Sequence, residues 1–290
     1  MGLRQFISSI NSIMRNRHIH RGRGLLRHLQ WQLFKAFDRF PFEQSLSESR
    51  IVARHRRCSV SALIYSQGLY DYNNMKLLQL LLQDGGVFLD IGANIGSFTL
   101  VASEVERGLV VAVEPHPETF KMLACNVEIN RRTNVRLFNV AVGCQDGSVL
   151  MTDVGGSPIN HIVQNEGADT VRVPCSRIDT LCRQHNFVPR VVKVDVEGFE
   201  HDVLIGFGSL LESVDVLMIE MNGLSERRSV GFKETDSFLK RHWLIGPLEC
   251  NFDGRTLTPS SPGQSEDVLY VSRSFVRSAP SRGLCVRLGN

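Results

Sequence analysis

From residue 85 onward the chain alternates between two hydrophobic patterns. Short runs rich in Val, Ile and Leu, at 87–91, 109–113, 135–142, 190–196 and 214–221, are mostly apolar. Strands buried on both faces read this way. Between them lie stretches with helical spacing, at about 95–107, from Pro117, from near 178, from 200 to about 211 and near 233–242. Strand–helix alternation predicts a parallel sheet covered on both faces. Two more strands, near 243–248 and 267–271, follow without a long helix between them, which predicts an antiparallel final pair.

Segment 144–182 breaks this rhythm. Its stretches 147–152 and 170–175 alternate like the arms of a β-hairpin, joined by the polar run Gly155-Gly156-Ser157-Pro158-Ile159-Asn160-His161. Ser176-Arg177-Ile178-Asp179 has the outline of a capping box opening a short helix. Upstream, residues 69–82 read as a helix stopped by Gly85-Gly86. Leu26, Leu29, Leu33, Phe37 and Phe40 recur at intervals of 3, 4, 4 and 3, one stripe of an N-terminal helix. The chain is therefore expected to be α/β: a Rossmann-like, seven-stranded, mostly parallel sheet with an antiparallel last strand and a β-hairpin insert before the fourth strand. A helical extension (1–57), a connecting helical segment (58–84), the main domain (85–273) and a loose tail (274–290) complete the organisation.

Charge changes this picture in one place. Residues 1–57 carry 12 Lys+Arg against 3 Asp+Glu, a local charge of +9, which leaves −6 for the remainder. A basic arm on a mildly acidic body suits membrane headgroups, nucleic acid or a polyanionic substrate, or is a solvated helix packed on the body. Residues 1–37 hold seven basic and no acidic residues, so helix on the domain, helix on a membrane surface and cleaved presequence are the three readings. The seven cysteines are scattered and never spaced Cys-x-x-Cys. That indicates neither zinc site nor disulfide framework, and fits a reducing, cytoplasmic setting.

Candidate chemistry sits where strands end. The first strand runs into Asp90-Ile91-Gly92-Ala93-Asn94-Ile95-Gly96 and then directly into a helix, a loop that lets backbone approach a ligand closely. The second ends in Glu114-Pro115, and an acid there can accept hydrogen bonds from both hydroxyls of a ribose. The spacing is not the Gly-x-Gly-x-x-Gly of dinucleotide sites, and Asp90 would repel a pyrophosphate. It suits instead the cationic amino-acid end of S-adenosylmethionine. A nicotinamide or flavin, or a tight turn without ligand, are the competing readings. Asp90 with Gly92, Asn94 and Gly96 would face the methionine end, Glu114 the ribose, and His116 and Asn139 the adenine.

These motifs, followed by Lys193-Val194-Asp195-Val196-Glu197-Gly198-Phe199-Glu200, resemble the FkbM family of S-adenosylmethionine-dependent methyltransferases, over roughly residues 60–273. The resemblance implies the class I methyltransferase fold and methylation of a hydroxyl on a sugar, glycolipid or natural product. It does not reach residues 1–57. A nucleic-acid or other N-methyltransferase is the enzymatic alternative, with nucleic acid disfavoured as acceptor because the body is net acidic and no aromatic stacking motif accompanies the fourth strand. A catalytically inactive binding module is the remaining alternative.

An alcohol acceptor must lose its proton. Asp195 is the first candidate base, with Lys193 two residues earlier on the same strand face holding it ionised. Glu197, Glu200 and His201 are its rivals; His201 alone has an ordinary pKa near neutrality. Asp195, Glu220 and Asn222, hard oxygen ligands on adjacent strand ends, leave Mg²⁺ assistance open. A buried ion-pair network without catalysis is the plainer reading of Lys193, Asp195 and Glu197. The insert, through Ser157, Asn160 and His161, would wall the acceptor.

Overall fold

The structure, a computed structural model, describes residues 10, 13–14, 16–54, 58–153, 160–163, 165–221, 230–242, 244–260 and 267–288 of the 290-residue chain. Helix α1 (Arg21–Ala36) leads into the hairpin β1 (Phe42–Leu46) and β2 (Ser49–Ala53), then α2 (Ser59–Gln67) and α3 (Tyr72–Leu82). The alternating region begins with β3 (Gly86–Ile91), α4 (Ser97–Ser103), β4 (Gly108–Val113), α5 (Pro117–Ile129) and β5 (Val135–Phe138). An insert supplies β6 (Ala141–Val142), β7 (Gly147–Thr152), β8 (Ile162–Val163) and β9 (Thr170–Ser176). Next come α6 (Ile178–His185), β10 (Val191–Val194), α7 (Glu200–Gly206), a 3₁₀ turn at Gly208–Ser213, β11 (Val216–Glu220) and α8 (Phe232–Arg241). The chain closes with β12 (Leu244–Cys250), β13 (Thr256–Pro259), β14 (Asp267–Ser272), α9 (Arg273–Ser278) and β15 (Cys285–Val286).

The main sheet runs β15-β13-β12-β14-β11-β10-β3-β4-β5. Strands β5, β4, β3, β10 and β11 are mutually parallel, and β14 runs antiparallel between β11 and β12. The chain builds outward from β3 to β5, then returns to place β10 and β11 on the other side. That reversal puts the switch point, where a ligand crevice opens, between β3 and β10. This is the Rossmann-like class I methyltransferase arrangement, with a correction: nine strands rather than seven. β13 and β15 extend the edge beyond β12, pairing parallel with each other. The tail is therefore not loose, because Phe275, Ala279 and Leu284 bury themselves under this edge.

Successive residues of the central strands feed two cores. Phe88, Val110 and Met218 pack on the face covered by α3 and α4, while Leu89, Val111 and Leu217 pack on the face covered by α6 and α7. Asp90 and Lys193 share the first face, in register with one another.

The insert forms the expected hairpin, β7 against β9, from Gly147 opposite Cys175 to Thr152 opposite Thr170. The third apolar run, however, splits. β5 stays in the main sheet and β6 crosses to join β9 in the four-stranded insert sheet. The capping box at Ser176 does not form. Arg177 is the N-cap without a side-chain cap bond, and Asp146 instead takes hydrogen bonds from Ser176 Oγ (2.9 Å) and the Arg177 amide (2.8 Å). The helix expected from 95 starts at Ser97, since Asn94 and Gly96 hold left-handed φ values of 52° and 95°. The helix expected to reach 211 stops at Gly206, and left-handed Gly208 separates it from the 3₁₀ turn.

At the N-terminus, α1 buries Gly24, His28 and Trp31 and packs on α2. The extension is not wholly helical, as β1 and β2 lie within it. The stripe Leu26, Leu29, Leu33 and Phe37 faces outward. No helix of the described residues is long and apolar enough to cross a membrane. Residues 154–159, with Ser157, and residues 222–229, with Asn222, lie outside the described part, as does Trp243.

Candidate active site

A cavity of about 490 Å³ opens at the carboxyl ends of β3, β4, β10 and β11. Its first wall is the loop after β3. Gly92 and Ala93 donate their amides to the Val113 carbonyl (both 3.0 Å), tying the loop to β4. Gly92 has φ +79°, and a Cβ there would collide with the Asp195 carbonyl oxygen. Only glycine satisfies both demands. Gly92 and Asn94 line the cavity; Gly96 sits behind them, its missing Cβ making room for Leu123.

Glu114 follows β4 and is buried against the cavity. Its Oε2 accepts the Asn94 amide (2.9 Å) and its Oε1 the His116 amide (3.0 Å). Burial pushes its pKa up to about 7, the two amides pulling the other way. His116 lines the cavity, N-caps α5 and holds Asp153 Oδ1 through Nε2 (3.2 Å). Asn139 does not line it: its Nδ2 donates to the carbonyls of Glu114 (2.8 Å) and Pro115 (2.9 Å), fixing the turn that presents Glu114. Val140, Ala141 and Val142 supply the lining there.

Asp90 lies under the loop rather than on the cavity wall. It is buried and accepts from Thr99 Oγ1 at 2.6 Å. Burial raises its pKa, with the Lys193 charge opposing. The lysine is the centre of a larger arrangement. Its Nζ donates to Asp195 Oδ2 at 2.6 Å and stands 4.9 Å over the Phe98 ring. Burial works against its charge, but Asp195, Asp90 and Asp267 outweigh that and raise its pKa. Asp195 is half-buried; desolvation pulls its carboxyl up, but the Lys193 charge and hydrogen bonds from Lys193 and Glu220 together hold it below the usual range. Glu220 carries the opposite shift: burial, then the Asp195 charge, push it up to about 9. The group therefore reads ammonium, carboxylate and neutral carboxylic acid, in that order.

Asp195, Glu197 and Glu220 bring carboxylate oxygens within 4.8 Å of one another. Lys193 already supplies one positive charge to this cluster, through Asp195. Glu197 holds φ +54° and lines the cavity, whereas Glu200 turns back to accept the Gly198 amide (2.8 Å). His201 lies elsewhere, with Nδ1 beside Thr235 Oγ1 (3.3 Å) and its ring against Phe238. Met151, Asn160, His161 and Ile162 of the insert reach the cavity.

Three lining acids or phenols were invisible in the motifs. Tyr70 and Asp71 come from the turn before α3, with Tyr70 Oη 2.8 Å from Ser97 Oγ, and Asp267 begins β14 opposite Glu220. The one local sign was Asp71 at a helix start, which reads as a cap. It makes no side-chain cap bond to the helix backbone.

Known proteins support a family assignment. The family model described as the methyltransferase FkbM domain matches residues 90–253. The hexuronic acid methyltransferase AglP of Haloferax volcanii is 31% identical over 151 residues, covering 50% of this chain and 61% of that protein. Methyltransferase 1 of Beauveria bassiana is 28% identical over 167 residues, covering 48% and 67%. The chain thus spans about two thirds or less of these relatives. Among solved structures, the precorrin-6y C5,15-methyltransferase of Geobacter metallireducens aligns with 15% identity over 70% of this chain and 86% of that one, at a TM-score of 0.39. The family match covers more than half of the residues and takes in the β3 loop, Glu114 and the Lys193–Asp195 strand: the chain belongs to the FkbM methyltransferase domain family.

Proposed function

We propose that this chain is an S-adenosylmethionine-dependent O-methyltransferase acting on a hydroxyl of a sugar, glycolipid or related small molecule. The observation that carries the reading is the single cavity that joins Glu114 at one end to Lys193, Asp195 and Glu220 at the other. The cofactor fits the first end. Gly92 lets the loop after β3 pass against the Asp195 carbonyl along the cavity wall, where no Cβ fits, and Glu114 offers a buried carboxylate to a diol. When bound, S-adenosylmethionine supplies an electrophilic methyl group on a sulfonium centre.

The remaining work falls to the protein. Asp195 accepts the hydrogen bond of the acceptor hydroxyl and takes its proton; Lys193 and Glu220 fix the orientation of its carboxylate. A carboxylate held this low is a weak base, so alignment contributes more than basicity; well-oriented reactants reach effective molarities of about 10⁵–10⁸ M. Tyr70, Asp71 and the insert residues Asn160 and His161 surround the place an acceptor would occupy. Hexuronic acid methylation, named for the Haloferax relative, supports a sugar as acceptor. The seven cysteines are free, which suits a reducing, cytoplasmic compartment.

The test is incubation of the full chain with labelled S-adenosylmethionine and a panel of neutral sugars, uronic acids, nucleotide-sugars and glycolipids. Transfer to a hydroxyl, falling about 10²–10⁴-fold in Asp195→Asn, is the expected result. Transfer to an amine or nucleobase overturns the acceptor class, and undiminished turnover in the variant removes Asp195 as base.

A further inference from the structure

The N-terminal helix presents a face that the rest of the described fold leaves bare. Leu26, Leu29 and Leu33 on α1 are 57%, 54% and 56% exposed, and Phe37 just beyond it is 71% exposed. They recur every three or four residues, so they form one continuous stripe. The opposite face is firmly seated. Gly24, His28 and Trp31 are buried, and a Cβ on Gly24 would run into Ile13 and Ile19. Trp31 meets Phe40, Phe42 and Tyr65 at centroid distances of 5.5–5.8 Å. The helix therefore cannot roll its leucines inward without dismantling that aromatic cluster.

Charge identifies what the stripe meets. Arg21, Arg23 and Arg27 are exposed on the same helix, and residues 1–37 contain no Asp or Glu. On a helical wheel Arg23 and Arg27 lie on one flank of the leucine stripe, about 75° and about 115° from its centre. Apolar side chains flanked by cations, on a helix too short and polar to span a bilayer, match an interfacial helix that buries one face among acyl chains and sets its arginines at anionic headgroups. A protein partner with an apolar groove would satisfy the leucines but leave the uniform positive charge unexplained.

We propose that α1 docks the protein on the surface of an anionic lipid bilayer through Leu26, Leu29, Leu33 and Phe37, with Arg23 and Arg27 at the headgroups. The consequence reaches the cavity. α1 packs on α2, and α2 lines the cavity with Ser59, Val60 and Leu63, so the bilayer lies one helix layer from the site. Catalytic residues take no part in this contact, and the inference does not depend on the methyl acceptor.

Flotation of the full chain with phosphatidylcholine vesicles, with and without phosphatidylglycerol, tests it. Binding is expected only when phosphatidylglycerol is present, weakening as salt rises. The exposed pair Leu29→Asn/Leu33→Asn should reduce it at least about tenfold, and Arg23→Gln/Arg27→Gln should reduce it while leaving an unchanged melting temperature. Failure to float with anionic vesicles overturns the proposal. So does binding indifferent to the leucine pair, or wild-type dimers in size-exclusion chromatography that the leucine pair converts to monomers without any vesicle binding by the wild type, which would make a second copy the occupant.

Discussion

Glu114 is held by two backbone amides and still titrates near neutrality, because burial strips water from its charged form. Ribose hydroxyls donate to the ionised carboxylate, so cofactor affinity should strengthen as the pH rises from about 6 to about 8, by up to about tenfold. Calorimetric titration across that range checks this, and Glu114→Gln should bind weakly with a flat profile. Gly92 fails differently. In Gly92→Ala the new methyl meets the Asp195 backbone at a left-handed φ, so the chain must move either β3's loop or β10's end. Thermal stabilisation by S-adenosylmethionine should vanish in this variant even where its circular dichroism is native. The identities of Gly92 and Glu114 were legible, since each follows an apolar strand. The charge state of Lys193, Asp195 and Glu220 was not, because it depends on how close three strand ends come and how much water reaches them.

Among the elements, α5 shows how the loop is braced. Asn126 is buried, donating to the Ile95 carbonyl (2.8 Å) and accepting the Val52 amide (2.9 Å). One side chain thus joins the loop after β3, α5 and the β1–β2 hairpin. Asn126→Leu leaves both backbone groups unsatisfied and should destabilise the fold by about 1–3 kcal/mol, read by urea denaturation. The two arms of the insert hairpin were legible from alternation, whereas the helices expected from 69 and 95 start at Tyr72 and Ser97. The break of the third apolar run at Asn139 was not legible, since local hydrophobicity is the same on either side and sheet membership is settled by distant partners. The same holds for α1: its leucine stripe is plain in the sequence, but the inner face is set by Gly24 and Trp31, which a stripe of leucines conceals.

At the scale of the molecule, burial of acids links stability to pH. Glu220 keeps its proton in the folded state up to about 9, whereas unfolded glutamate releases it above about 4.5. Folding therefore loses stability from this group as pH rises from about 4.5 to about 9, and none further beyond. Glu220→Gln should flatten the fall in melting temperature between about pH 7 and about pH 9, measured without cofactor. A chelator should leave activity unchanged, because Lys193 supplies the cation of this cluster. The sheet's core strands were legible because each is mostly apolar. Its outer edge was not: β13 and β15 have four and two residues, too short to show a period, and form only because β12 offers an unpaired edge.

By itself the sequence determined the strand–helix alternation, the glycine loop and the acids that close β4 and β10, because period, backbone freedom and side-chain chemistry are local properties. Tertiary structure decided the rest. It brought Tyr70, Asp71 and Asp267 to the cavity, moved Asp90 beneath it and His201 away, and turned the leucines of α1 outward. Those outcomes depend on which surfaces meet, and desolvation and pair distances, which fix the charge of each acid, exist only once they have met.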